Sequence, residues 1–309
     1  METATIMAER HTLTAQVLRE LRDDGRASYS RIADTVGTTR RQVTEIVEHA
    51  LAHNLVRVTA TISPDLLGKR QFAYLLLAVD QATSVIAELE RIQELCFISA
   101  ITGPFGVDAE IRVGDNQELE ERLDRIRQIP GVRRLLVNVY ERIAVNIDSP
   151  IATADGLYAV DEADLAIAQY LEFDGRASFR TLGSHAGVSA ASARNRLRRL
   201  ISLGAIKVVG LPVRDHHAGA APVGVGIRVT GSVSSALEAL SALGPEFLAA
   251  TRGNFEIIGT FSGTSNDALL DILEAIRACP EVADVESWSH LRIVREYYGA
   301  QAQPPARLS

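Results

Sequence analysis

The chain has 309 residues, 47% of them hydrophobic, a net charge of −7 and two cysteines. That gives room for about two to four domains of ordinary size, each with a full core. It excludes a disulfide-stapled secreted fold, and apolar runs such as residues 73–79 fall far short of a membrane span. Glu2 and Glu9, with no apolar signal core between them, argue against export. The chain therefore reads as cytoplasmic, with Cys96 and Cys279 as buried free thiols.

In chain order, Val17, Leu18 and Leu21 put an apolar stripe on a first helix that ends at Asp24-Gly25. Ser28 fits the N-cap of a short helix through Ile32, Ala33 and Val36, stopped by Gly37. Thr38 or Thr39 caps a third helix, with Val43, Ile46, Val47, Ala50 and Leu51 on its apolar face. A short helix, a glycine turn and a longer helix is helix-turn-helix spacing, although a plain three-helix bundle shares it. From residue 72 the period changes. Residues 72–79 read as a buried strand, and Val85, Leu89 and Ile92 as a helix. Residues 96–102 and 107–113 read as strands flanking a Gly-Pro turn. Leu119, Leu123 and Ile126 mark a helix ended by Pro130-Gly131, and 132–145 is a last strand. The order β-α-β-β-α-β is ferredoxin-like.

The pattern then starts again. Leu21-Arg22-Asp23-Asp24-Gly25-Arg26-Ala27-Ser28 returns as Leu171-Glu172-Phe173-Asp174-Gly175-Arg176-Ala177-Ser178. At that offset of 150, residues 21–59 match in 8 of 39 pairs and residues 101–143 in 11 of 43. Such a period suits a duplicated unit and is too long for a solenoid. Ile167 and Leu171, then 178–187, then 189–203 with Ala193, Leu197, Leu200 and Ile201 inward, give a second helix-turn-helix. Residues 221–297 repeat the ferredoxin-like pattern. The predicted fold is α+β: two repeats, each a helix-turn-helix domain followed by a ferredoxin-like βαββαβ sensing domain. The domains are 10–63 and 161–210 for DNA binding, and 68–148 and 218–298 for ligand sensing and dimerisation. A linker (149–160) joins the halves and a disordered tail covers 299–309. One face of each sheet is bare of helices, and residues such as Leu75, Leu77, Val137, Val139, Val225 and Ile227 lie in strands whose two faces both need cover, so the sheets should pack on each other within a chain or between chains.

Residues from Asp164-Leu165-Ala166-Ile167 through Asp174-Gly175-Arg176-Ala177-Ser178, Gly187-Val188-Ser189 and Arg196-Leu197 to Gly204-Ala205-Ile206 resemble the helix-turn-helix opening of the Lrp/AsnC family of feast/famine transcriptional regulators. Thr102-Gly103 and Arg252-Gly253, each about 27 residues before a Pro-Gly-Val or Pro-Glu-Val, are similar to turns of that family's sensing domain. The resemblance covers nearly all of residues 10–298. It implies double-stranded DNA as partner, an amino-acid-like small-molecule effector, and a homodimer or higher homo-oligomer. Two departures stand out: the family has one such unit per chain where this chain has two, and its sensing turn ends in Asp where this chain has Gly106 and Glu256.

The expected DNA-binding residues are Ser178, Arg180, Ser189, Ala190, Ser192, Arg194, Asn195, Arg198 and Arg199 in the second half. In the first half they are Ser28, Thr39, Arg40, Arg41, Gln42 and Thr44. Residues 189–208 hold five basic and no acidic residues, whereas 39–58 hold three basic residues against Glu45 and Glu48, so the second unit should dominate. Arg194 and Asn195 fit guanine or adenine edges, and Arg198 and Arg199 the backbone. Thr102, Gly103, Phe105 and Gly106, with Arg252, Gly253, Asn254 and Glu256, are the expected effector site, where backbone N–H groups at a glycine turn can hold a carboxylate. A tight turn needing glycine for its backbone alone reads equally well.

An enzyme is the alternative, because siroheme decarboxylases share this architecture and occur as fused pairs. Those enzymes carry a His-Asn-Tyr-x-Arg stretch before the sensing turn. Here residues 97–102 and 247–252 hold no histidine, and a general acid must be present before its pKa matters. No Ser/His/Asp set, phosphate loop or carboxylate pair stands out elsewhere, and His216-His217 has no cysteine nearby. No catalytic residue, metal or cofactor is therefore expected. A sensor that has lost DNA binding is the third reading, and Glu45 and Glu48 on the first candidate recognition helix favour it.

Overall fold

The computed structural model describes residues 2–147, 160–212, 222–263 and 265–298, with backbone alone at 2–11 and 212. The first half runs α1 (Glu2–Asp23), α2 (Tyr29–Val36), α3 (Arg40–Ala52), β1 (Val56–Ile62), β2 (Gln71–Val79), α4 (Ala82–Leu89), β3 (Leu95–Ile101), β4 (Val107–Val113), α5 (Asn116–Arg127) and β5 (Val132–Asn146). The second half runs α6 (Glu162–Phe173), α7 (Phe179–His185), α8 (Ala190–Ser202), β6 (Ile206–Pro212), β7 (Val223–Val229), α9 (Val233–Ser241), β8 (Phe247–Arg252), β9 (Ile257–Phe261), α10 (Asn266–Ala278) and β10 (Val282–Glu296). Helix α1 begins at Glu2, ahead of the expected domain start at residue 10, and no Gly or Pro interrupts the sequence before Gly25. The linker up to residue 159, the tail and His216-His217 lie outside the described residues.

Two compact units form, and each draws on both halves of the chain. The first contains α1–α3 and β1 with α6–α8 and β6. Its strands pair antiparallel from Val56↔Pro212 to Ile62↔Ile206. Val17, Leu21, Ile32, Val43 and Val47 make one helical core, and Ile167, Leu171, Leu182, Leu197 and Leu200 the other. Leu51 and Ile201, predicted to point inward, are 37% and 45% exposed. Each lies eight residues past the first core position of its helix, which rotates it to the edge of the apolar stripe.

The second unit holds the strands β2–β5 and β7–β10 in an antiparallel closed barrel of order β10-β3-β4-β2-β5-β8-β9-β7. Helices α4 and α5 pack on β2–β5 over Leu75, Leu77, Ile98, Ala109 and Ile111. Helices α9 and α10 pack on β7–β10 over Val225, Ile227, Leu248 and Ile257. The face away from the helices is covered by the other sheet: Tyr74, Leu76, Ile101 and Phe105 meet Phe255, Ile258 and Trp288. Strand periodicity therefore sends alternate residues to two different cores. Among the described residues, no helix is long and apolar enough to cross a membrane.

Candidate nucleic-acid interface

Local capping builds both helix-turn-helix motifs. Ser28 and Ser178 cap α2 and α7 by accepting from the backbone N–H of Arg31 and Thr181. Thr39 and Ser189 cap α3 and α8 in the same way, accepting from Gln42 and Ser192. Gly37 ends α2 at φ 71°, the left-handed conformation that a helix C-terminus favours and glycine adopts freely.

A reciprocal clasp joins the two motifs. Arg26 donates from Nη1 to Gly175 O at 2.8 Å and from Nη2 to Ala177 O at 3.0 Å. Arg176 returns the same bonds to Gly25 O and Ala27 O at 2.9 and 3.0 Å. Each guanidinium also stacks on the other half's aromatic residue, Arg26 over Phe179 and Arg176 over Tyr29. The backbone N–H of Gly25 donates to Val208 O, and that of Gly175 to Val58 O. A Cβ at either glycine would sit within 2.9 Å of the ribbon's backbone. The repeated Asp-Gly-Arg-Ala-Ser stretch is thus the seam between the motifs.

On α8, Ala193, Leu197 and Leu200 are buried, while Arg194, Asn195 and Arg198 point to solvent. No hydrogen bond or ion pair engages those three side chains among the described residues; Arg194 only lies over the Phe179 ring, at 5.9 Å. Arg196 and Arg199 are held differently. Arg196 reaches Asp161 at 2.7 Å and Asp164 at 2.9 Å, and Arg199 reaches Asp164 at 2.5 Å. Asp164 is 1% exposed, whereas the two arginines keep 27% and 43% of their side-chain surface. Asp161 is held below the usual carboxylate range by hydrogen bonds from backbone and from Arg196. Arg199, expected as a phosphate contact, also ties α8 to α6 through Asp164. Two of the five positive charges of residues 189–208 are neutralised within the domain, leaving Arg194, Arg198 and Lys207.

The exposed face of α3 is more self-contained. Gln42 accepts from Thr38 and Thr39, Thr44 donates to the Arg40 carbonyl, and Arg41 pairs with Glu45 at 2.9 Å. Arg40 is exposed and unengaged among the described residues. Ser28, Arg180, Ala190 and Ser192 lie at the surface of their motifs, Ser192 less fully than the others.

The two turns expected to hold an effector are used by the barrel itself. Asn138 Oδ1 accepts the N–H groups of Asn254 and Phe255 at 2.9 and 3.1 Å. Arg252 pairs with Glu141, and Glu256 accepts from the Val229 N–H. Thr102 exchanges two hydrogen bonds with Ser289, the Gly106 N–H donates to Leu77 O, and Phe105 is buried between the sheets. Gly103 keeps φ at 98° with open space around it, and Gly253 sits too close to Val137 O for any side chain. Thr102 stitches β3 to β10, and Arg252, Asn254 and Phe255 stitch β8 and its turn to β5, while Gly106 and Glu256 bond within their own sheets.

Sequence reasoning missed a polar cluster inside the barrel. Asp108 accepts from Tyr74 Oη and from Trp288 Nε1 at 3.1 Å, and lies 3.4 Å from His290 Nδ1. His290 Nδ1 is also 3.1 Å from Ser99 Oγ. A histidine does therefore reach β3, from β10, a strand 191 residues away that no local motif could indicate. Burial pushes the Asp108 carboxyl up against the opposing pull of His290, Tyr74 and Trp288. Burial also pushes up the Cys96 thiol; Cys279, expected to be buried, is only half-buried and lies 3.0 Å from Glu281. No group of three metal-ligating side chains occurs among the described residues.

Comparison with known proteins bears on the first unit. The model of the AsnC-type helix-turn-helix domain matches residues 160–201. The HTH-type transcriptional regulator FL11 of Pyrococcus abyssi (strain GE5 / Orsay) is 27% identical over 120 residues, 38% of this chain and 80% of that protein. The HTH-type transcriptional regulator LrpA of Mycobacterium tuberculosis (strain ATCC 25618 / H37Rv) is 29% identical over 121 residues, 38% of this chain and 81% of that one. Among solved structures, the siroheme decarboxylase NirDL, in co-complex with an iron-uroporphyrin III analogue, covers 94% of this chain and 95% of its own, with a TM-score of 0.66. At 13% identity that likeness is one of fold alone. Residues 160–201 thus match an AsnC-type helix-turn-helix domain, and these transcriptional regulators resemble about two fifths of this chain.

Proposed function

We propose that the protein is a sequence-specific DNA-binding transcriptional regulator in which α8 does most of the reading. One observation carries this: Arg194, Asn195 and Arg198 stand exposed and unengaged on the second helix of an AsnC-type motif, while Arg196 and Arg199 fix that helix from behind. With the N-terminal half of α8 in a major groove, Arg194 and Asn195 meet guanine or adenine edges and Arg198 a phosphate. The net charge of −7 does not oppose this, because phosphate contacts depend on the local face.

Arg194→Ala with Arg198→Ala should abolish specific binding and lower the salt slope of log K by about 2. Arg40→Ala with Arg41→Ala should lower it by about 1, because Arg41 already has Glu45 beside it. Gel-shift titrations over a salt series measure both, and equal losses would remove the preference for α8. If the arginines only solvate the helix, neither double variant changes binding.

The fold of a decarboxylase and the reach of His290 to Ser99 and Asp108 favour an enzyme as second reading. All three residues are enclosed, at 4% exposure or less, so no substrate route to them supports it. Iron-porphyrin titration followed in the Soret band should show no binding.

A further inference from the structure

We propose that each chain reads one bipartite, directional DNA site, with two unlike half-sites at a spacing set by the arginine clasp. This rests on the DNA-binding reading above and adds the form of the operator. In the ribbon, β1 residue i pairs with β6 residue 268 − i, as Val56 does with Pro212. The pair Thr59↔Val209 is the one whose members are also 150 apart, the repeat offset. An antiparallel pair has a local two-fold axis, and here that axis relates corresponding positions of the two halves. The clasp obeys it too, since each bond of Arg26 has its counterpart from Arg176. The two reading helices are therefore arranged as a symmetric dimer would arrange them, as inverted half-sites, within a single chain.

The reading faces do not follow the symmetry. Where α8 has Arg194, Asn195 and Arg198, α3 has Thr44, Glu45 and Glu48. Thr44 is bonded to its own helix and Glu45 to Arg41, and Glu48 is an exposed carboxylate. Guanidinium groups seek purine acceptors and phosphates; carboxylates repel phosphate and accept at most from a cytosine amine. One half-site is thus strongly specified and the other weakly, and a duplex can be engaged in only one orientation.

Selection from random duplexes with the full chain, followed by footprinting, tests this. The expected motif has one information-rich half and a shallower half at a constant offset. Inserting two base pairs between them should weaken binding at least about tenfold. Arg26→Lys with Arg176→Lys, which loses both forks, should relax that penalty while circular dichroism shows the helices retained. Grafting Thr44→Arg, Glu45→Asn and Glu48→Arg onto α3 should convert the preference to a palindrome. A palindromic motif for the unmodified chain, or indifference to spacing, overturns the proposal and leaves DNA binding standing. No enrichment of any duplex overturns both.

Discussion

Asp164 is a buried carboxylate with two arginines on it, and its removal should have opposite effects on stability and on DNA affinity. Asp164→Asn takes the charge from both ion pairs and should cost about 2 kcal/mol of folding free energy, the value of charge-assisted hydrogen bonds reduced by the exposure of their partners. Urea unfolding measures that. The same change removes one carboxylate from beside α8 while Arg196 keeps Asp161, so non-specific affinity should rise and the salt slope steepen by up to about 1. Loss of both stability and non-specific affinity would mean that the anchored geometry of α8 matters more than charge. At Gly175 the limit is space. A Cβ there would lie 2.8 Å from the Thr59 backbone nitrogen, so Gly175→Ala should cost about 1–3 kcal/mol, as overpacking does. These residues show where sequence reading stops. The repeat of Gly-Arg was plain to see, but the acceptors of Arg26 lie about 150 residues away, and nothing local says that its fork faces protein rather than phosphate.

Elements were largely legible because each carries its own stop signals. Thr39 with Gln42, Gly37, and Pro130-Gly131 mark ends that the structure keeps, and the alternation over 107–113 identifies β4 without help. Pairing between elements was not legible. Strands β1 and β6 are short segments after a helix in both halves, and either could have ended as a solvent-facing wing. They pair because each supplies the other with backbone partners and with buried Val58, Ala60, Val208 and Val209. The clasp makes an element-level prediction. Arg26→Ala and Arg176→Ala, each removing two bonds and one ring stack, should destabilise the first unit by similar amounts, about 2 kcal/mol each. A large difference between the two variants in thermal unfolding would show that the clasp is symmetric in form only.

At the scale of the whole molecule, charge inside the barrel sets a pH dependence. Burial raises the Asp108 pKa, so the folded protein holds that proton more tightly than the unfolded chain does. The resulting stabilisation is present below the ordinary carboxylate range and is lost as pH climbs through the raised value. Asp108→Asn removes this component and keeps an acceptor for Tyr74 and Trp288. Its urea midpoint should therefore gain on the unmodified protein between about pH 4 and pH 8. A constant difference across that range would mean that Asp108 does not carry the dependence. The expected effector turns bear on the same scale: their donors hold the sheets together, so amino acids added at millimolar concentration should leave the melting temperature unchanged.

Strand β10 pairs on one side with β7 and on the other with β3, so it is the piece that closes the barrel. It is also the last strand in sequence among the described residues. During synthesis the ribosome has therefore made the other described strands while Trp288 and His290 are still missing from the core they complete. Until then β3 and β7 present free edges, and the cluster of Ile101, Phe105 and Phe255 lacks Trp288. Those are the conditions under which nascent chains stick to one another. The ordering also makes folding a late, long-range event, slow for the chain's size because the contacts that finish it span nearly 200 residues. A chain ending at residue 281 should accordingly be found with chaperones or in inclusion bodies.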